Sequence, residues 1–582
     1  MTTTRSGFTK LAAVCIAILL GAVVWELGWP LTRAEHEWSR LIAAVATLGH
    51  LTGILGSYFR KEINRPSLRL LIFQIISCLM IFLLIAREQQ EAGYMRFTEL
   101  SRLVITAGLI AIPTLMSLTR IFEWLVGKQK KGRPLMAPAM QFVASLGVVI
   151  LAGTGLLLLP NSTYPGITLS FTDALFTSTS AVCVTGLNAV DFAHTFTPLG
   201  EMFTLALIQI GGFGIMTFAY FVAMVAGQGF SLRDRVLLTA LLDEANLGAV
   251  VSFITTIVVS TLFIELCGAV LLYFSWEGKD INLMGEPLWW HSLFHSVSAF
   301  CNAGFSTFPM NLMEPGIRLC YSGQAVIMAL IVCGGLGFGI YKEINSRLAN
   351  RFFSKHRRLH MQWTPYFKLV MISTGILLAG GALAIFAVSS PHAAEPLGEH
   401  LWICLFDSVT ARTAGFNISD YSRYLPAASL IMCGLMMVGG SPGGTAGGMR
   451  TTPCAIAGAE ILRILRGRDH VEFFRRRIDQ RTVARCVITV VVSCAWIGCF
   501  TVLICALEPS MSSLDIFFEN CSAFATVGVS RGITPDLSDP SKYLLIVNML
   551  AGRVGLFAFL IALAGTPTPR HYRYPSVKIP LT

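Results

Sequence analysis

TSAVCVTGLN at 179–188, SVSAFCNAGFS at 296–306, SVTARTAGFN at 408–417 and CSAFATVGVS at 521–530 are four versions of one pattern. Each is a run of small and hydroxyl-bearing residues, then a glycine, a bulky apolar residue and a small polar one. Anchored on Gly186, Gly304, Gly415 and Gly528, the copies are separated by 118, 111 and 113 residues. A period this long marks a repeated structural unit, and the rest of the chain is read around it.

Composition fixes the solvent. Of 582 residues, 54% are hydrophobic and 13% charged, with a mean hydropathy of +0.65, so a water-facing surface cannot be assembled. The chain reads as an integral membrane protein. The net charge of +11 does not indicate nucleic acid, because the basic residues cluster between apolar spans, as membrane orientation requires. Fifteen cysteines occur without one C-x-x-C pair and fall mostly inside apolar runs, so neither a disulfide frame nor a zinc site is expected.

Residues 11–30, 41–58, 68–86 and 102–125 are apolar enough to span and together make residues 1–127 an added four-helix module. Arg60, Lys61, Arg65 and Arg69 lie between its second and third spans, and Lys128, Lys130, Lys131 and Arg133 follow the fourth. These positions place the N-terminus on the cytoplasmic side. From Ala139 one order recurs: a long apolar helix (139–160, 248–274, 367–389, 482–507), a segment of about ten residues too short to span (173–182, 289–300, 402–411, 515–524), the glycine stretch, and a second long helix (199–227, 323–346, 425–465, 542–565). The expected fold is therefore all-α, with four helix, re-entrant half-helix and helix repeats at 128–240, 241–360, 361–478 and 479–582.

Non-helical backbone at membrane depth is tolerated only where protein buries it or water lines it, so four copies suggest a ring about one axis. A half-helix directing its C-terminal end inward favours a cation there. The glycine can turn consecutive carbonyls toward one point, and carbonyls from four repeats can replace an ion's water without formal charge.

The four stretches, the one-residue-shorter third copy SVTARTAGF and GGSPGGTAGGMRTT at 439–452 resemble the Trk/Ktr/HKT superfamily of potassium transporters, most of all the bacterial Ktr pore-forming subunit. The resemblance runs from about Ala139 to the C-terminus and includes GRVG at 552–555 and YRYP at 572–575. It implies a pseudo-four-fold pore whose K+ filter is Val184, Thr185, Gly186 and Leu187, then Asn302, Ala303, Gly304 and Phe305, then Thr413, Ala414, Gly415 and Phe416, then Thr526, Val527, Gly528 and Val529. Glycine at all four key positions leans toward potassium. Glycines that merely permit close helix packing are the competing reading, and four in register disfavour it. Cys183 and Cys301 stand where many relatives are expected to carry a small hydroxyl or amide residue.

The glycine-rich insert interrupts the third second helix and is a candidate gate: Gly439, Gly440, Ser441, Gly443, Gly444, Thr445, Gly447 and Gly448, with Arg553 from the last span facing its carbonyls or hydroxyls. Arg553 reads either as a structural tie or as a movable barrier to cations. Arg450 is expected to snorkel to the cytoplasmic edge. Asp173, Asp407, Asp515 and Glu519 are expected near half-helix starts, as helix-dipole partners or as acids that concentrate cations. His291 and His295, one turn apart, fit metal ligation by spacing but lack a nearby third ligand.

Basic residues at 342–358 and 463–485 add to inside orientation and could dock an acidic partner or anionic lipid. The resemblance implies a homodimer in the cytoplasmic (inner) membrane resting on cytosolic nucleotide-binding regulatory subunits of the RCK/KTN type. The chain carries no nucleotide-binding glycine motif of its own, so nucleotide would act only through that partner. No covalent cofactor is expected, K+ is the transported ion, and Na+ dependence is left open. An enzyme is not expected, since no convergent set of acids, bases or metal ligands at the bilayer surface and no H-E-x-x-H is evident. A Na+-permeable or Na+-coupled transporter of the same fold is the alternative.

Overall fold

The computed structural model describes residues 138–214, 250–353, 363–388, 396–557, 559 and 560, together with scattered positions between 14 and 52. Most of the expected N-terminal module, residues 215–249 with the end of the expected 199–227 helix, the connection at 354–362 and the YRYP stretch lie outside the described residues.

Among the described residues, three helices are long and apolar enough to cross a membrane unaided: α4 (Val250–Trp276), α8 (Pro365–Val388) and α12 (Gln480–Leu507). The shorter α1 (Pro138–Leu157) occupies the same place in the order. After each comes a half-helix: α2 (Phe171–Cys183), α5 (Leu288–Cys301), α9 (Leu397–Thr410) and α13 (Ser513–Ala525). These have 13 or 14 residues rather than ten, about 20 Å of helix against a hydrocarbon core of about 30 Å.

The half-helices are pinned to the preceding long helix by one recurring bond. Ser178 Oγ donates to Ile150 O (2.8 Å), Ser296 Oγ to Glu265 O (2.6 Å) and Ser408 Oγ to Leu378 O (2.9 Å). In each case the long helix carries a glycine three residues further on, Gly153, Gly268 or Gly381, where an added Cβ would collide with that serine hydroxyl. At the fourth copy residue 500 is Phe, and the longer Asn520 spans the gap, its Nδ2 donating to Ile497 O and Thr501 Oγ1, both at 2.8 Å.

The second helices depart from expectation. None is continuous: α3 (Pro198–Phe213) ends at Gly214 (φ +76°), α6 (Tyr321–Leu336) breaks at Gly337 (φ +88°), and α14 (Asp539–Val554) ends at Gly555 (φ +89°). Past Gly337 the chain resumes as α7 (Phe338–Phe353), bent by 95° from α6. The third copy comprises α10 (Pro426–Met437), the glycine insert and α11 (Thr451–Leu465). The cause is in the sequence: GGFG, GGLG and GRVG each place a glycine where the backbone takes a positive φ that other residues reach only at a cost.

Packing between copies closes on itself. The second helix of each copy lies against the half-helix of the next: α3 on α5, α6 on α9, α10 on α13, and α14 back on α2. One apolar cluster runs through the first three copies and includes Phe294, Phe305, Phe308 and Phe416. A two-residue-per-strand hairpin, β1 (Glu472–Phe473) and β2 (Arg476–Arg477), connects α11 to α12.

Candidate functional site

Three half-helices stop where the backbone turns left-handed, at Val184 (φ +57°), Asn302 (φ +61°) and Thr526 (φ +51°). The following amides donate back to close the end: Thr185 N to Ser180 O (2.7 Å), Ala303 N to Ser298 O (2.7 Å) and Val527 N to Ser522 O (2.9 Å). Valine and threonine rarely take such angles, so the surrounding packing holds them there. Two residues later φ is positive again, at Gly186 (+91°), Gly304 (+70°) and Gly528 (+90°). The shorter third loop reaches the same pair, Thr413 and Gly415 at +80° each, by another route: α9 caps at Ala411 in the right-handed region, and Ala414 N donates to Thr410 O (3.0 Å).

The four glycines meet. A Cβ added to Gly304 would lie 2.6 Å from Ala414 O and 2.7 Å from Gly415 Cα, and one on Gly415 would lie 2.7 Å from Val527 O. One on Gly528 would strike Thr185 O, and one on Gly186 would strike Ala303 O. Every glycine therefore abuts the carbonyl that precedes the next glycine, in the cyclic order 186, 304, 415, 528. The flanking Leu187, Phe305, Phe416 and Val529 are buried. Thr185 Oγ1 and Thr526 Oγ1 are buried without a hydrogen-bond partner among the described residues, while the Asn302 amide and Thr413 Oγ1 lie 3.1 Å apart.

Sequence reasoning missed the hydroxyls that hold these loops. Ser180 Oγ accepts from Gly186 N and Ser522 Oγ from Gly528 N, each at 3.0 Å. Ser298 Oγ instead donates to Phe305 O (2.8 Å) and Thr410 Oγ1 to Phe416 O (2.6 Å). The signal was present: a serine six residues before three of the glycines, and a threonine five before the fourth.

The glycine insert packs beneath the ring. Gly447 is pressed against the Thr526 side chain, and a Cβ on Gly448 would lie 3.2 Å from Ala525 Cα. Ser441 N donates to Gly335 O (2.9 Å), Phe338 N to Gly443 O (3.0 Å) and Tyr366 Oη to Pro442 O (2.9 Å), so the insert is stitched into the α6/α7 break and onto α8. A Cβ on Gly444 would lie 3.0 Å from Gly334 O, and Gly439 and Gly440 are buried at the start of the insert. Arg553 donates from one nitrogen to Thr445 O and from another to Gly211 O, bridging the insert to the end of α3. Arg412, also overlooked, is buried beside Thr413 and donates to Gly439 O (3.4 Å). Arg450 sits half-buried at φ +63°, where α11 begins.

The acids sort differently from expectation. Asp173 is in the first turn of α2 and pairs with Lys542 Nζ (2.9 Å), and Asp515 is in the first turn of α13 and pairs with Arg531 Nε (2.6 Å). Asp407 is not at a helix start. Because α9 begins at Leu397, Asp407 falls in its last turn, fully buried and accepting from Tyr421 Oη (2.9 Å), Ser419 Oγ and Tyr424 Oη. Glu519 is likewise mid-helix, accepting from Ser530 Oγ, Arg531 N and Thr534 Oγ1. His291 and His295 do not converge on a common point. Their ring nitrogens engage Thr307 Oγ1, Leu283 O, His291 O and Ser306 Oγ, and both rings stack on Phe308.

Broken helices packed in a closed ring, with uncharged backbone converging at its centre, define a membrane transport protein. The family model described as a cation transport protein, TrkH, matches residues 104–574, and the chain belongs to that family. It is a multi-pass membrane protein and not an enzyme. It is 32% identical over 448 residues to the Ktr system potassium uptake protein D of Bacillus subtilis (strain 168), covering 76% of this chain and 97% of that one. It is 34% identical to the Ktr system potassium uptake protein B of the same organism, covering 74% and 94%. It is also 32% identical to the potassium/sodium uptake protein NtpJ of Enterococcus hirae, covering 78% and 99%. Its fold is similar to the crystal structure of the potassium transporter TrkH from Vibrio parahaemolyticus, with a TM-score of 0.57 at 17% identity over 95% of this chain and 98% of that one.

Proposed function

We propose that the chain is a potassium-uptake pore in which the four glycine loops form one selectivity filter. The observation that carries this reading is the cyclic contact of Gly186, Gly304, Gly415 and Gly528, each beside the carbonyl preceding the next glycine. Paired left-handed residues in every loop let carbonyls face one axis, where together they replace an ion's hydration. The copies act as four helix, re-entrant half-helix and helix repeats with pseudo-four-fold symmetry, behind an added N-terminal helical module. Voltage drives entry, at about 2.3 kcal/mol per charge per 100 mV. The insert 439–452, held by Arg553, is the gate beneath the filter. Two copies assemble in the cytoplasmic membrane on cytosolic nucleotide-binding regulatory subunits.

The test is growth at low potassium of a bacterial strain stripped of its own uptake systems. The chain restores growth, and changing each filter glycine to serine removes or relaxes K+ preference. Failure to restore growth, with sodium-selective currents, supports the second reading, a Na+-permeable transporter. That reading is favoured by the similarity to a protein named for both ions.

A further inference from the structure

Behind the second glycine loop the interior of the fold holds a carboxylate. Glu265 sits in the middle of α4, an otherwise apolar span, with 3% of its surface exposed. Gln209 Nε2, from α3, donates to both of its oxygens at 3.2 and 3.1 Å. Cys301 Sγ, from the last residue of α5, lies 3.6 Å from Oε1 and 3.9 Å from Gln209 Oε1. In each contact made by the Glu265 side chain its oxygen accepts, from an amide or from a thiol. An acid inside a membrane span is expensive, and packing alone would have used a leucine there.

Its placement gives it something to act on. Cys301 directly precedes Asn302, where the second loop begins, and Gly212, packed against the Cys301 sulfur, follows the Gly211 whose carbonyl receives Arg553. The carboxyl group is thus one residue behind the loop and, through Cys301 and Gly212, linked to the last turn of α3, where the Gly211 carbonyl receives Arg553. Among the described residues its other recorded neighbours are uncharged: Ser296 reaches its backbone carbonyl, and Leu330 of α6 packs at Gly268.

We propose that Glu265 is a positioning and specificity-determining residue for cation selection: with Gln209 it fixes Cys301, and through Cys301 the start of the second quarter of the filter. This rests on the filter reading above. A buried hydrogen-bonded cluster of this kind holds the end of the half-helix in one place, because leaving any of its polar members unmatched is costly.

The experiment measures K+ and Na+ uptake by the full-length protein in liposomes, with monodisperse extraction as the folding control. Glu265→Gln keeps the shape but sets an amide donor in place of one of the two oxygens facing Gln209 Nε2, and the K+ over Na+ preference is expected to fall by about tenfold. The exchange Glu265→Gln with Gln209→Glu returns the carboxylate from the facing helix and restores most of the preference, which a purely structural role would not predict. Gly304→Ser is run alongside. An unchanged ratio in Glu265→Gln while Gly304→Ser alters it overturns this proposal alone, whereas no change in Gly304→Ser overturns the filter reading itself.

Discussion

The four glycine loops and the four second-helix breaks are both repeated features of one chain, yet they have been kept alike to very different degrees. The loops share one backbone: a left-handed residue, one ordinary residue, then a glycine at positive φ, reached even by the shorter third copy. The breaks share only a glycine. Two of them are single residues, Gly337 and Gly555, and α3 ends at Gly214, while the third copy spends residues 438–450 between α10 and α11. In the proposed pore, coordinating one ion from four sides demands equal arms, whereas obstructing the passage needs only one arm that differs from the rest, the part proposed for the insert and Arg553.

This contrast can be broken most severely at the loops. Gly415→Ala places a methyl group 2.7 Å from Val527 O on a residue at φ +80°, adding about 1–2 kcal/mol of backbone strain to the collision. Uptake of 86Rb+ is expected to fall at least about a hundredfold, since the clash is with backbone that cannot retreat. A variant with near-normal uptake would show that the loops need not be equal. At the insert the effect is smaller and opposite in sign: deleting 441–448, or changing Arg553→Gln to release Thr445 O and Gly211 O, raises flux several-fold while leaving the K+ over Na+ ratio intact. Unchanged flux in both would remove the insert as the obstruction. The smallest effect is Ser180→Ala, which deletes one buried hydrogen bond to Gly186 N, costing about 1 kcal/mol of loop stability. It is read as a modest fall in K+ preference at unchanged expression, and Ser522→Ala should match it because Ser522 makes the same bond to Gly528 N.

What the sequence revealed follows from what repeats in it. The glycine period located the loops, and apolar length located α4, α8 and α12, because burial in lipid writes itself directly into composition. The breaks after α3, α6 and α14 were equally written, as GGFG, GGLG and GRVG, but a hydropathy run passes through glycine without interruption and hides the turn. Asp407 was misplaced because helix starts in apolar sequence are signalled weakly: α9 begins after Pro396 without a side-chain cap, ten residues upstream of that acid. Arg412 and Glu265 escaped notice because each lies inside a stretch already assigned another meaning, and a buried charge has no periodicity to betray it. The contacts that matter most, from Arg553 to Thr445 and from Gln209 to Glu265, join residues 108 and 56 apart in sequence, and no local pattern predicts them.

The most direct measurement is the position of an electron-dense potassium surrogate. Crystals grown in Rb+ should show an anomalous peak on the common axis, at the level of the Thr185, Ala303, Ala414 and Val527 carbonyls, which weakens when Na+ replaces Rb+. A map with the four loops ordered and no such peak between them, or with the peak elsewhere, would contradict the account.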